Sequence, residues 1–248
     1  EVEQVSIRVG GLPQHPRPPL DYQIVFSPHG LINEYMEPSQ VLRDGEIVTV
    51  PSLTEREEIS FPAPYGTLEA FHTSGGSSTL PHTLRGRVKN LDYKTIRYPG
   101  HVERIKAMAD LGFFDEAPIS IDNCDVAPRA VAVHLLEERL SFGEPDVVLL
   151  RVLARGAAIG SDSDTSCEVK YEMIDNYDPA TGLSAMMRTT GFPIAQIAFM
   201  LATGEISARG ALPQETCVPT GLFLAGLGAG THGGSASGLN IEKTILKL

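Results

Sequence analysis

The sequence predicts an α+β domain: a mixed or mainly antiparallel sheet with helices packed on it, and no complete Rossmann domain. Three observations carry this. Strand-like and helix-like stretches are interspersed without the regular β-α-β-α order of a doubly wound sheet. No G-x-G-x-x-G follows an opening strand. The apolar run "DVVLLRVLARG" is followed by the alternating "SCEVKYEMIDNYD", which reads as its partner strand.

Taken in order, Val2, Val5, Ile7 and Val9 recur among polar neighbours and predict a first strand, which Gly10-Gly11 should stop. "LPQHPRPPL" is Pro-rich and reads as an extended loop. Leu31, Ile32, Tyr35 and Met36 fall at helical spacing, with Pro38 closing the helix. "GEIVTVPSL" is a short strand, and "LEAFHTSGG" a strand or short helix entering a glycine loop. "LDYKTIRYPG" has the β-branched and aromatic content of a strand, ended by Pro99-Gly100. Val102, Ile105, Met108 and Leu111 then share one helical face before Gly112, and "APRAVAVHLLEERL" is a second amphipathic helix. Asp178–Gly182 is a turn. Ile194, Ile197, Ala198 and Leu201 predict a helix with Pro193 in its first turn and Gly204 after its end.

A chain of 248 residues, 42% hydrophobic and 21% charged, has room for a substantial core. We divide it into a domain over residues 1–225 and a Gly/Ser linker with a terminal segment over 226–248. The net charge of −11 and the absence of any Lys/Arg-rich stretch argue against a nucleic-acid partner. No apolar run is long enough to span a bilayer, and the opening residues lack signal-peptide character. Three widely spaced cysteines without a CxxC fit a reducing, cytoplasmic setting better than a disulfide framework or a zinc site. The chain begins without Met, directly in a strand-like pattern, which leads us to expect something upstream.

Four stretches carry chemistry. "GLGAG" at 226–230 lacks the strand and helix of a dinucleotide loop and reads as a flexible turn. "HTSGGSSTLP" offers hydroxyls and backbone amides suited to a carboxylate, phosphate or amide group; its bland reading is a Ser/Gly surface loop. In "YKTIRYPGH", strand alternation puts Tyr93, Thr95 and Arg97 on one face and Lys94, Ile96 and Tyr98 on the other. Arg97 among apolar neighbours needs a carboxylate, either from a ligand or from Glu69. His101 opens a helix, where it is a cap, a substrate contact or a general base. The remaining histidines show no metal-ligand spacing with it, and no metal is expected.

"GGLPQHPRPPLDYQIVFSPHGLINEY", "FPAPYGTLEAFHTSGGSSTLP", "LDYKTIRYPGH", "GEPDVVLLRVLARG" and "TGFPIAQIAFMLATGEISARGALPQE" together resemble the C-terminal region of the saccharopine dehydrogenase-like family, over roughly residues 5–225. The "GGLP…PPL" and "TSGGSSTLP" stretches look most like its lysine 6-dehydrogenase branch. The resemblance implies an enzyme in which an N-terminal Rossmann domain holds NAD or NADP, while the C-terminal domain binds the amino acid and forms a homo-oligomer interface. The implied chemistry is oxidation of an amine of lysine to an imine. The substrate ammonium must first lose a proton, because the nitrogen lone pair expels the hydride. Arg97 matches the family's T-x-R-Y arginine and is assigned the substrate carboxylate. Lys94, Tyr98 and His101 are the candidate proton acceptors. Ser74, Gly75 and Gly76 would line the substrate pocket, and Glu69 would hold the substrate amine or orient Arg97. A saccharopine dehydrogenase would need a further cation for a second carboxylate, for which Arg85, Arg87 or Lys89 is available. A non-catalytic amino-acid-binding or dimerisation module is the third reading.

Overall fold

The structure, a computed structural model, describes residues 2–157, 166–228 and 238–247. Its sequence-order elements are β1 (Val2–Pro13), α1 (Pro28–Met36), β2 (Ser39–Arg43), β3 (Glu46–Val50), β4 (Glu57–Phe61), β5 (Gly66–Phe71), α2 (Leu80–Leu84), β6 (Asn90–Arg97), α3 (His101–Asp110), β7 (Ile119–Ile121), β8 (Cys124–Val126), α4 (Pro128–Leu140), β9 (Asp146–Ala157), β10 (Ser166–Asn176), α5 (Ala185–Ala202), α6 (Gln214–Cys217), α7 (Thr220–Gly226) and β11 (Ile241–Lys247). Nine strands form one sheet in the order β11-β10-β9-β1-β6-β2-β3, with β5 also pairing β6 and β4 pairing β5. Among the described residues only β1 and β6 run parallel; every other pair is antiparallel. The mixed sheet and its helices are the α+β architecture the sequence predicts. β7 and β8 form a separate hairpin.

β6 is the pivot. Its first half meets β2 at Leu91 and its second half meets β5, with Glu69, Ala70 and Phe71 opposite Arg97, Ile96 and Thr95. Helices α1, α3 and α4 and the 20–22 loop pack over this end through Leu20, Tyr22, Leu31, Ile32, Tyr35, Phe71, Val102, Ile105 and Leu136. A second cluster, with Leu12, Ile59, Leu68, Ile96, Val147 and Leu149, lies between β strands on the other face. Burying a side chain of this size contributes about 1.5–3 kcal/mol, so the end of β6 is held from both sides.

Two expectations fail for reasons outside the local pattern. The first strand does not stop at Gly10-Gly11 but runs on to Pro13. A Cβ on Gly10 would stand 2.5 Å from the Ile96 carbonyl oxygen, so this glycine permits close approach of β1 and β6 instead of ending a strand. The last long helix begins at Ala185, which leaves Pro193 in its interior. Its start is set by two side-chain acceptors: the Ser184 hydroxyl Oγ accepts from Met187 N, and the Asp146 carboxylate accepts from the Ala185 and Met186 amides at 2.7 and 2.9 Å. Asp146 lies 39 residues upstream of Ala185, where no helix-start pattern displays it.

At the C-terminal end, Leu227 and Leu239 are buried with Val148, Met173 and Ala185, and β11 adds an antiparallel strand to β10. Packing is therefore continuous across the division at residue 225/226. In "GLGAG", Gly226 ends α7 and Leu227 is buried, so its first part is not a free turn; its last two residues and the Gly/Ser tract up to residue 237 lie outside the described residues. Among the described residues no helix is long and apolar enough to cross a membrane.

Candidate functional site

The strand alternation of β6 is realised as expected. Ile96 enters the sheet core, while Tyr93 and Arg97 turn toward the helix side. Arg97 is only 3% exposed. Its Nε donates to Tyr35 Oη at 3.2 Å and its Nη1 to the Ile96 carbonyl at 2.8 Å, and the guanidinium sits 4.7 Å from the centre of the Tyr22 ring. It makes no ion pair with any described carboxylate. Burial works against its charge, but the Tyr35 and Tyr22 oxygens and Glu34 more than compensate, so its pKa is raised and it remains a guanidinium. A buried cation hydrogen-bonded only to neutral groups is uncommon, because desolvation costs several kcal/mol unless an anion in direct contact offsets it.

Glu69 is not that anion. It stands opposite Arg97 in the ladder, yet its carboxylate accepts from the Gly100 and Val102 amides at 3.0 and 2.8 Å and lies 3.3 Å from Arg56 Nε. At 1% exposure it is the N-terminal cap of α3, compensating for Gly100, which has no capping side chain. The expected roles on the substrate amine or on Arg97 are thus replaced by a structural one.

His101 opens α3 but is fully buried. Its Nδ1 donates to the Leu20 carbonyl at 2.9 Å, and its Nε2 accepts from Tyr35 Oη at 2.9 Å. Burial, and then the charge of Arg97, push its pKa down to about 3, so the ring is neutral with both nitrogens engaged. The chain Arg97→Tyr35→His101→Leu20 aims the guanidinium; His101 acts on Arg97 through Tyr35 and is a positioning residue, not a solvent-reaching base. Tyr98 donates to the Pro13 carbonyl at 2.9 Å, and burial pushes its pKa up to about 12. Lys94, on the far face, donates to the Glu55 carbonyl and to Glu57 at 2.7 and 2.8 Å. There it belongs to a charge network in which Arg8 bridges Glu57 and Asp92. Strand alternation therefore separates Lys94 and Tyr98 from Arg97, and none of the three expected proton acceptors is free on the Arg97 side.

The Ser74–Gly76 turn, expected to line the substrate pocket, packs against the end of α1 and against Tyr93. The Ser74 amide donates to the Glu34 carbonyl at 3.0 Å, tying the turn to the end of α1. Gly75 has φ +88°, and a Cβ there would lie 3.8 Å from Glu34 Cγ. Gly76 lies flush on Tyr93: a Cβ would fall 2.2 Å from its ring. Thr73 Oγ1 and Tyr22 Oη are buried without a hydrogen-bond partner among the described residues. A neighbouring hollow of about 380 Å³ is lined by Glu37, Gln40, Ser74, Gly75, Ser77 and Ser78, among others.

Sequence reasoning missed Tyr22, Glu34 and Tyr35. Tyr35 carried only a helix-spacing signal, and Tyr22 lay just beyond the Pro-rich loop. Glu34 carried no signal, since its meaning depends on Arg97, 63 positions away in the sequence. Its carboxyl is half-buried; burial raises its pKa, while the charge of Arg97 pulls the other way.

Comparison with known proteins agrees with this architecture. The chain matches the saccharopine dehydrogenase C-terminal domain family over residues 1–228. Its fold is similar to that of an apo, histidine-tagged saccharopine dehydrogenase (L-Glu forming) from Saccharomyces cerevisiae, with a TM-score of 0.72 at 17% identity, covering 99% of this chain and 67% of that one. With nearly all of its length inside that family and a sheet and helices of the same fold, the chain belongs to the saccharopine dehydrogenase C-terminal domain family.

Proposed function

We propose that this chain is the substrate-binding domain of an NAD(P)-dependent amino-acid dehydrogenase of the lysine 6-dehydrogenase type, in which Arg97 grips the substrate carboxylate. The observation that carries the reading is the buried guanidinium of Arg97, which makes no ion pair with any described carboxylate and is aimed by Tyr35 and His101. A carboxylate arriving there supplies the missing anion, and the remaining N–H groups of the planar fork receive it. Tyr22, stacked beneath the guanidinium, keeps water away from one side.

The nicotinamide cofactor supplies hydride acceptance when bound, but among the described residues nothing fits a dinucleotide. Its Gly10-Gly11 pair is consumed by strand packing, with Gly10 against Ile96 and Gly11 against Met186. The cofactor is therefore assigned to an N-terminal Rossmann domain. This chain binds, orients and desolvates the amino acid.

Placement of the basic residues favours lysine over saccharopine. Arg85, Arg87 and Lys89 all precede β6, and Arg97 ends it. A strand of 8 residues separates the two ends by roughly 23 Å. Arg85 and Lys89 are also paired with Glu46 and Glu3. A second substrate carboxylate would have to find its cation elsewhere.

In the intact protein, Arg97→Lys should raise the KM for L-lysine by about ten- to a hundredfold, the loss of a charge-assisted fork. An unchanged KM would remove Arg97 from the site. Turnover of L-lysine but not of saccharopine supports the lysine branch; the reverse overturns it.

A further inference from the structure

We infer that Glu34 receives the α-ammonium group of the bound amino acid and is the residue that selects amino acids over plain carboxylic acids. The inference rests on the proposed role of Arg97. The other acidic groups near β6 are engaged: Glu57 with Arg8 and Lys94, Asp92 with Arg8, Glu55 with Arg43 and His72, and Glu69 with two amides and Arg56. The Glu34 carboxylate has no hydrogen bond or ion pair among the described residues. It nevertheless lies within the field of Arg97, and its charge helps raise the pKa values of Tyr22, Tyr35 and Tyr93.

Local stability does not explain an acid here. Glu34 is in the last turn of α1, where the partial negative charge of the carbonyl ends disfavours a carboxylate. An internal ion pair with Arg97 would relieve both groups, yet the two charges are held apart. Separated opposite charges beside a glycine turn match a zwitterion, whose carboxylate and ammonium share one carbon. With the carboxylate on Arg97, the Glu34 carboxylate receives the α-ammonium. Gly75, in the left-handed region at φ +88°, adjoins the acid: a Cβ there would stand in ordinary van der Waals contact with Glu34 Cγ and Oε1 at 3.8 and 3.9 Å. The backbone bond from Ser74 N to Glu34 O holds the acid and the turn in register.

The test is calorimetric binding by the intact protein of three probes: L-lysine, L-norleucine, which lacks the ε-amine, and 6-aminohexanoate, which lacks the α-amine. Glu34→Gln should weaken L-lysine and L-norleucine by about tenfold or more and leave 6-aminohexanoate within about twofold. Glu34→Asp keeps the charge on a shorter arm and should retain part of the preference for L-norleucine over 6-aminohexanoate, which a merely misfolded variant would not. Equal losses on all three probes, no loss on any, or a loss confined to the two probes bearing an ε-amine would each overturn the assignment. Should Arg97→Lys leave all three affinities unchanged, or the unaltered protein bind none of them, the function proposed above falls and this assignment falls with it. A failure confined to the Glu34 variants removes only the assignment.

Discussion

Acid should destabilise the fold through His101 in a way a single substitution removes. The Leu20 carbonyl can only accept, so Nδ1 carries the proton. Tyr35 Oη accepts from Arg97 Nε and must give its own proton to His101 Nε2. A second proton on the ring would confront the Tyr35 hydroxyl hydrogen and place an imidazolium beside a buried guanidinium. Burial first, and Arg97 second, lower the folded pKa to about 3 from an ordinary 6.5. Between those values the unfolded chain binds one proton more than the folded chain, so stability rises with pH across this window and is lost on acidification. The slope is about 1.4 kcal/mol per pH unit once the unfolded histidine is charged. From pH 7.5 to 4.5 this single residue should cost roughly 2.5 kcal/mol. Urea unfolding of the protein and of His101→Asn at a series of pH values isolates the effect, because the carboxylates common to both cancel. The variant should be less stable at pH 7.5, having lost the Tyr35 contact, yet its stability should fall less steeply by about that amount. Parallel slopes for the two proteins would refute the neutral, doubly engaged imidazole and the relay built on it.

Glu69→Ala should lower the unfolding free energy by about 2–4 kcal/mol, since it leaves the Gly100 and Val102 amides without their acceptor; thermal or urea denaturation reads this directly. A cost below about 0.5 kcal/mol would mean that water replaces the cap. Lys94→Met should leave kcat and KM for L-lysine within about twofold, because its ammonium is bound on the opposite face of the strand and Glu57 retains Arg8. A loss of kcat beyond about a hundredfold with folding intact would restore Lys94 as a proton acceptor.

Period and punctuation made much of the architecture legible. Runs such as Asp146–Ala157 and Ser166–Asn176 declare strands by alternation or continuous apolar content, and Val102 with Ile105 declares the buried face of a helix. The same alternation placed Arg97 and Tyr93 together and set Lys94 apart, because side-chain direction in a strand is a local consequence of the pleat. The tertiary structure alone decided the partners. Whether Glu69 would meet Arg97 or an amide pair depended on where Gly100 and Val102 were carried. The start of α5 depended on Asp146, and the continuation of β1 through two glycines on the closeness of β6. Tyr22, Glu34, Tyr35 and Arg97 come from a loop, a helix and a strand, and they meet only because the core brings those elements to one end of the sheet. Covalent geometry acts between neighbours in sequence, so it is written there; desolvation and charge act between neighbours in space, and those are created by folding.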